Sequence, residues 1–173
     1  MKAKTVMKNI LRPKSEKEIL SSLEKSNLNS DDLLIQSSKA GFLLGVKKAL
    51  EIGANVHAKN DFALLRASEN GHLDVVELLL KYGANVHFNN DWILRYASSH
   101  NHLDVVEFLI KNGANVQAYD NQALRNASYY GYYDVVELLV KNGADVHAYN
   151  NQSFRRALKN GHKDIIKLLK KYM

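Results

Sequence analysis

Apolar residues recur three and four positions apart in short runs along most of this chain, and most runs stop at glycine. Val75, Val76, Leu79 and Leu80 form one stripe, while Leu64, Ala67 and Ser68 form a shorter one upstream. This spacing predicts short amphipathic helices in pairs, since a half-buried strand would alternate apolar and polar residues instead. The pattern returns every 30 residues: Gly41, Gly71, Gly131 and Gly161 share one grid, Gly53, Gly83, Gly113 and Gly143 a second, and Gly45 stands alone. Asn101 replaces the third unit's grid glycine, and asparagine is the next residue to accept left-handed backbone.

Asp61, Asp91, Asn121 and Asn151 fall just before the first helix of each pair and are read as its N-caps. Asp74, Asp104, Asp134 and Asp164 open the second helix, where the helix dipole favours anions. One pair cannot bury its apolar stripe alone, so neighbouring units must stack into an all-α solenoid. The array is expected over residues 28–173, in units of about 31–60, 61–90, 91–120, 121–150 and 151–173. Residues 1–27 form an N-terminal extension in which Ser15 and Glu18 make a capping box, predicting one short helix through Ile19, Leu20 and Leu23 that covers the first unit.

The run Gly71-His-Leu-Asp-Val-Val-Glu-Leu-Leu-Leu-Lys-Tyr-Gly-Ala-Asn-Val-His closely resembles the ankyrin-repeat signature, and the resemblance covers about residues 31–173. It implies a curved stack of antiparallel helix pairs whose concave face and projecting loops bind protein partners. Two departures stand out. Ankyrin units usually run to about 33 residues, so a 30-residue unit should blunt the projecting hairpin into an irregular loop. The usual Thr-Pro-Leu-His opening is replaced by Ala63-Leu-Leu-Arg, Ile93-Leu-Arg-Tyr, Ala123-Leu-Arg-Asn and Ser153-Phe-Arg-Arg. The variant Asn121-Gln-Ala-Leu-Arg is similar to ankyrin proteins of Mimivirus-type giant DNA viruses, which implies a viral protein that engages a host factor. Leu11 to Leu34 carries a leucine spacing loosely like an F-box, but it runs into the first repeat and leaves too little chain for that module.

Composition narrows the functional classes. Without cysteine the chain has no disulfide framework, thiolate metal site or cysteine nucleophile. No run of 18 apolar residues is present, so no membrane helix is predicted, and an intracellular protein, cytoplasmic with the nucleus left open, is expected. A net charge of +6, from 24 Lys and Arg against 18 Asp and Glu, biases the chain toward acidic partners.

Seven histidines raise the question of metal. His57, His87 and His147 recur on the grid, as do His72, His102 and His162, and equivalent residues on stacked helices lie about 8 to 10 Å apart, too far to share an ion. His100 and His102 lack a third ligand nearby in sequence. The repeated Asp and Glu of Leu-Asp-Val-Val-Glu suit dipole and surface roles, and no phosphate loop, nucleophile elbow or His-Glu-x-x-His is present. No enzyme, cofactor or metal site is expected.

Partner contacts are sought among Tyr, Trp and Arg that depart from the repeat pattern. Trp92, Arg95, Tyr96, Tyr119, Arg125, Tyr129, Tyr130, Tyr149 and Arg155 form the candidate set. The resemblance places the loop and first-helix tyrosines at the groove, while Tyr132 and Tyr133 are read as structural. The arginines have two readings of equal weight: a cationic strip for an acidic, partly apolar partner, or ties between adjacent loops. A monomeric protein-binding module is the leading expectation. The alternative is a basic nucleic-acid binder using Arg155, Arg156, Lys159, Lys163, Lys167, Lys170 and Lys171, and a structural fragment without its own partner is a third.

Overall fold

The computed structural model describes residues 28–173, so the helix expected after Ser15 lies outside the described residues. Described residues form ten helices in five pairs and no strand. The pairs are α1 (Ser30–Ala40) with α2 (Leu43–Glu51), α3 (Ala58–Glu69) with α4 (Leu73–Lys81), α5 (Phe88–Ser99) with α6 (Leu103–Lys111), α7 (Ala118–Tyr130) with α8 (Tyr133–Lys141), and α9 (Ala148–Lys159) with α10 (Lys163–Lys170).

The described backbone divides into two compact units, one made of residues 28–67 with 74–84 and the other of 68–73 with 85–173. In the first, α1 packs on α2, and Leu33, Leu34, Val46, Ala49, Leu64, Val75, Val76 and Leu79 are buried. Gly45, the glycine off the grid, sits inside α2 where a Cβ would meet the Phe42 ring and Ser37 Oγ. In the second, α5 packs on α7 and α7 on α9, while α6, α8 and α10 form a parallel row behind them. Ile93, Leu94, Val105, Val106, Leu109, Leu124, Val135, Val136, Leu139 and Leu169 are fully covered there, so the predicted stripes become the shared core.

The connections differ from the irregular loop expected. Each is a regular turn followed by three consecutive residues in left-handed conformation: Lys59 to Asp61, Asn89 to Asp91, Tyr119 to Asn121 and Tyr149 to Asn151, with φ between 49 and 60°. Left-handed backbone costs an L-residue about 1–2 kcal/mol. The second and third positions are always Asn or Asp, the side chains that tolerate it best.

This geometry changes the role of the expected N-caps. Asp61, Asp91, Asn121 and Asn151 do precede the right-handed helix, but with left-handed backbone rather than the extended form usual for a cap. Their side chains serve the turn, and those of Asp91 and Asn121 also hold the connection that follows their own helix pair. Asp91 Oδ1 accepts the Asn115 backbone N–H at 3.0 Å and the His87 ring N–H at 3.1 Å, and Asn121 Oδ1 accepts the Asp145 N–H at 2.7 Å. In the first unit Asp31 Oδ1 accepts the Asn55 N–H at 2.7 Å, while Asn29 supplies an ordinary cap to α1. Asp31, Asp91 and Asn121 thus each fasten the connection that leads from their own helix pair to the next.

Candidate partner-binding face

The left-handed turns also decide where the candidate arginines point. A turn wound the wrong way for a helix leaves its first carbonyl without an intrahelical donor, and the arginine six residues on supplies one. Arg95 donates to Asn89 O at 3.0 Å, Arg125 to Tyr119 O at 2.9 Å and Arg155 to Tyr149 O at 3.2 Å. Arg95 and Arg125 go further. Each donates from its other terminal nitrogen to a glutamine of the following helix pair, Gln122 and Gln152 respectively, and lies under the tyrosine that opens that pair, Tyr119 at 4.8 Å and Tyr149 at 4.9 Å from the ring centre. Burial lowers both guanidinium pKa values from their ordinary level. An arginine stays protonated through such a change, so each remains a charged clip between repeats.

Tyr119 and Tyr149 therefore cover arginines with one face and are still about 60% exposed as residues. Of the nine candidate residues, these two and Arg95, Arg125 and Arg155 gather at the turn edge. The remaining four gather on the first-helix face. Trp92 and Tyr96 meet edge-on at 5.2 Å, and Tyr96 stacks on His100 at 6.0 Å, because residues four apart share one side of α5. Tyr129 and Tyr130 meet edge-on at 5.0 Å, are 45% and 52% exposed, and Tyr130 stacks on Tyr132 at 5.7 Å.

Two open clefts lie between these rows. One is lined by Trp92, Arg95, Tyr96, Ser99, His100, Gln122, Asn126 and Tyr130, between α5 and α7. Its neighbour, between α7 and α9, is lined by Asn126, Tyr129, Tyr130, Gln152, Arg156, Lys159 and Asn160. Asn126 and Tyr130 belong to both clefts. From sequence alone Gln122 and Gln152 carry no role, and Arg156 and Lys159 belong only to the basic run. The missed signal was coupled spacing, because Arg95 and Arg125 each have a tyrosine 24 residues on and a glutamine 27 residues on.

The basic run does not form one stripe. Arg156 leans toward Tyr129, with its guanidinium 5.7 Å from the ring centre, and donates to Arg125 O and Asn126 Oδ1. Lys170 lies 6.0 Å from the Phe154 ring centre. Lys167 and Lys171 line a separate cleft with Tyr133, Leu168 and the acidic Asp164.

The grid histidines have structural partners. His102 donates from Nε2 to Glu69 O and His162 to Tyr129 O, both at 2.9 Å, closing the end of a first helix. Among the described residues no group of three or more His, Asp or Glu could hold a metal ion, and no helix is long and apolar enough to cross a membrane.

Arg125 and Arg155 should respond unequally to removal. Arg125→Ala is expected to lower unfolding free energy by about 2–3 kcal/mol, because it strips charged hydrogen bonds from Gln152 and Tyr119 O and uncovers Tyr149. Arg125→Lys should recover little, since an ammonium cannot span both acceptors. Arg155→Ala, at an exposed side chain with one carbonyl contact, should change stability by less than about 0.5 kcal/mol. Urea denaturation of the three variants checks this order.

Helix pairs on a fixed repeat, clipped together at their turns, define a helical repeat protein. Residues 33–120 and 89–150 match the family described as ankyrin repeats (3 copies), and the chain belongs to that family. No curated protein matches the chain. Ankyrin repeats generally mediate protein–protein interaction and are typically non-catalytic.

Proposed function

We propose that this chain is a protein-binding module that holds its partner on the first-helix face of residues 85–173, with Trp92, Tyr96, Tyr129 and Tyr130 as anchors. The resemblance to the family implies that this face is concave. The observation that carries the reading is the pair of clefts meeting at Tyr130, because aromatic rings open to solvent, Tyr129 and Tyr130 about half and Trp92 and Tyr96 less, are what interfaces favour. The inward arginine clips support a division of labour: Arg95 and Arg125 hold the turns while the tyrosines and tryptophan remain free to bind. The likeness of the repeat variant to giant-virus ankyrin proteins makes a host protein the partner in this reading.

The test is affinity capture from host-cell lysate at low and moderate salt, comparing the natural chain with a Tyr129→Ala, Tyr130→Ala double variant. Both side chains are exposed, so the variant is expected to keep its thermal midpoint and lose about tenfold or more of the captured partner. Arg125 stays untouched, because changing it would confound folding with binding. Capture that ignores the tyrosines would refute the first-helix face. Recovery of nucleic acid that falls steeply with salt would favour the basic run instead.

A further inference from the structure

The two clefts differ in charge, and that difference specifies the chemistry of an occupant. None of their lining residues is Asp or Glu. In the α5–α7 cleft the arginine is Arg95, whose guanidinium is already held by Gln122 and Asn89 O. What remains open there is aromatic and neutral: Trp92, Tyr96, Tyr130, Ser99 and Asn126. In the α7–α9 cleft, Arg156 has only neutral acceptors and Lys159 pairs with no carboxylate among the described residues. They are three apart on α9 and so project to one side. The dipole at the C-terminal end of α9 explains cations there, but not the lack of acid across the cleft.

We infer that the face takes an extended, acidic peptide segment of its partner, with a carboxylate on Arg156 and Lys159 and an aromatic or large aliphatic side chain between Trp92, Tyr96 and Tyr130. This deepens, and rests on, the first-helix-face reading. Neighbouring repeats lie about 10 Å apart and an extended chain advances about 3.3 Å per residue, so the two anchors sit about three residues apart in the segment. Asn126, which lines both clefts, stands between them as a partner for the peptide backbone. A single-stranded nucleic acid fits less well, because it needs cations along the whole track and the free ones lie at one end.

The probes are labelled Gly-Ser peptides of about a dozen residues carrying a glutamate pair and one tryptophan at varied separations, read by fluorescence anisotropy on the full chain. Binding should be tightest near the three-residue separation and about tenfold weaker when lysines replace the glutamates. An exposed Lys159→Glu variant, with unchanged thermal midpoint, should lose the preference for glutamate, because Arg156 and the new carboxylate leave the cleft without net charge. Equal binding of the glutamate and lysine peptides overturns the acidic assignment. If that binding still needs Tyr129 and Tyr130, the first-helix face survives. No binding at millimolar peptide also overturns the proposal, and tyrosine-dependent capture of the partner then decides the face separately. Tighter, steeply salt-dependent binding of oligodeoxythymidylate at the same cleft overturns it in favour of nucleic acid.

Discussion

A Gly131→Ala chain is expected to unfold about 3 kcal/mol more readily than the natural one, a large effect for a single methyl group. Two causes add. Gly131 ends α7 with φ of 86°, and left-handed backbone costs alanine about 1–2 kcal/mol. The new Cβ would also stand 2.6 Å from His162 Cε1 and 2.8 Å from Nδ1, so the ring must leave its place and its bond to Tyr129 O. Gly143→Ala separates the two causes, since Gly143 has φ of 90° and nothing within 4 Å of the added carbon. It should cost only the backbone part, about 1–2 kcal/mol. Urea midpoints of both variants measure the difference, and equal losses would show that the histidine ring yields freely. A Gly131→Ala, His162→Ala double variant should lose less than the sum of the single losses, because the two residues contend for one space.

The loop fastenings give the second large effect. Asp91→Ala should destabilise by about 2–4 kcal/mol, leaving the Asn115 N–H without its acceptor and placing alanine in left-handed backbone at φ of 55°. Asp91→Asn should cost less than about 1 kcal/mol, because an amide oxygen can accept the same N–H. The next repeat already does this, with Asn121 Oδ1 on the Asp145 N–H at 2.7 Å. Chemical denaturation supplies the energies, and amide exchange at Asn115 tests the mechanism. Its N–H should exchange much faster in the alanine variant and nearly as before in the asparagine one. Similar losses for both would mean that the carboxylate's charge, rather than its acceptor geometry, matters.

The helix pairs were legible because a stripe of Val75, Val76, Leu79 and Leu80 has one periodicity and a glycine has one strong reason to end a helix. The connections were not. Sequence rules treat an Asp or Asn before an apolar run as a cap, and three successive left-handed residues without glycine are too rare to expect. Their trace was the paired Asn-Asp, Asp-Asn or Asn-Asn at 60–61, 90–91, 120–121 and 150–151. The arginine positions were visible but their direction was not. A guanidinium four residues before a tyrosine suggests a shared surface, whereas Arg125 reaches Tyr149 at the opening of the next helix pair, at a sequence distance that local rules do not search. The basic run showed the reverse problem, since one stretch of cations in sequence divides among the clefts and the Phe154 ring in space.

Because the clip recurs at one spacing, the seams that follow Arg95 and Arg125 are written in the same terms. Arg95 meets Tyr119 and Gln122 as Arg125 meets Tyr149 and Gln152. Excising residues 121–150 would bring Gln152 to the place of Gln122 and leave Arg95 with Tyr119 and a glutamine, and Asp91 with Asn115. The repeat is therefore a cassette, and gene duplication or loss can lengthen or shorten such an array by whole steps without a new joint having to evolve.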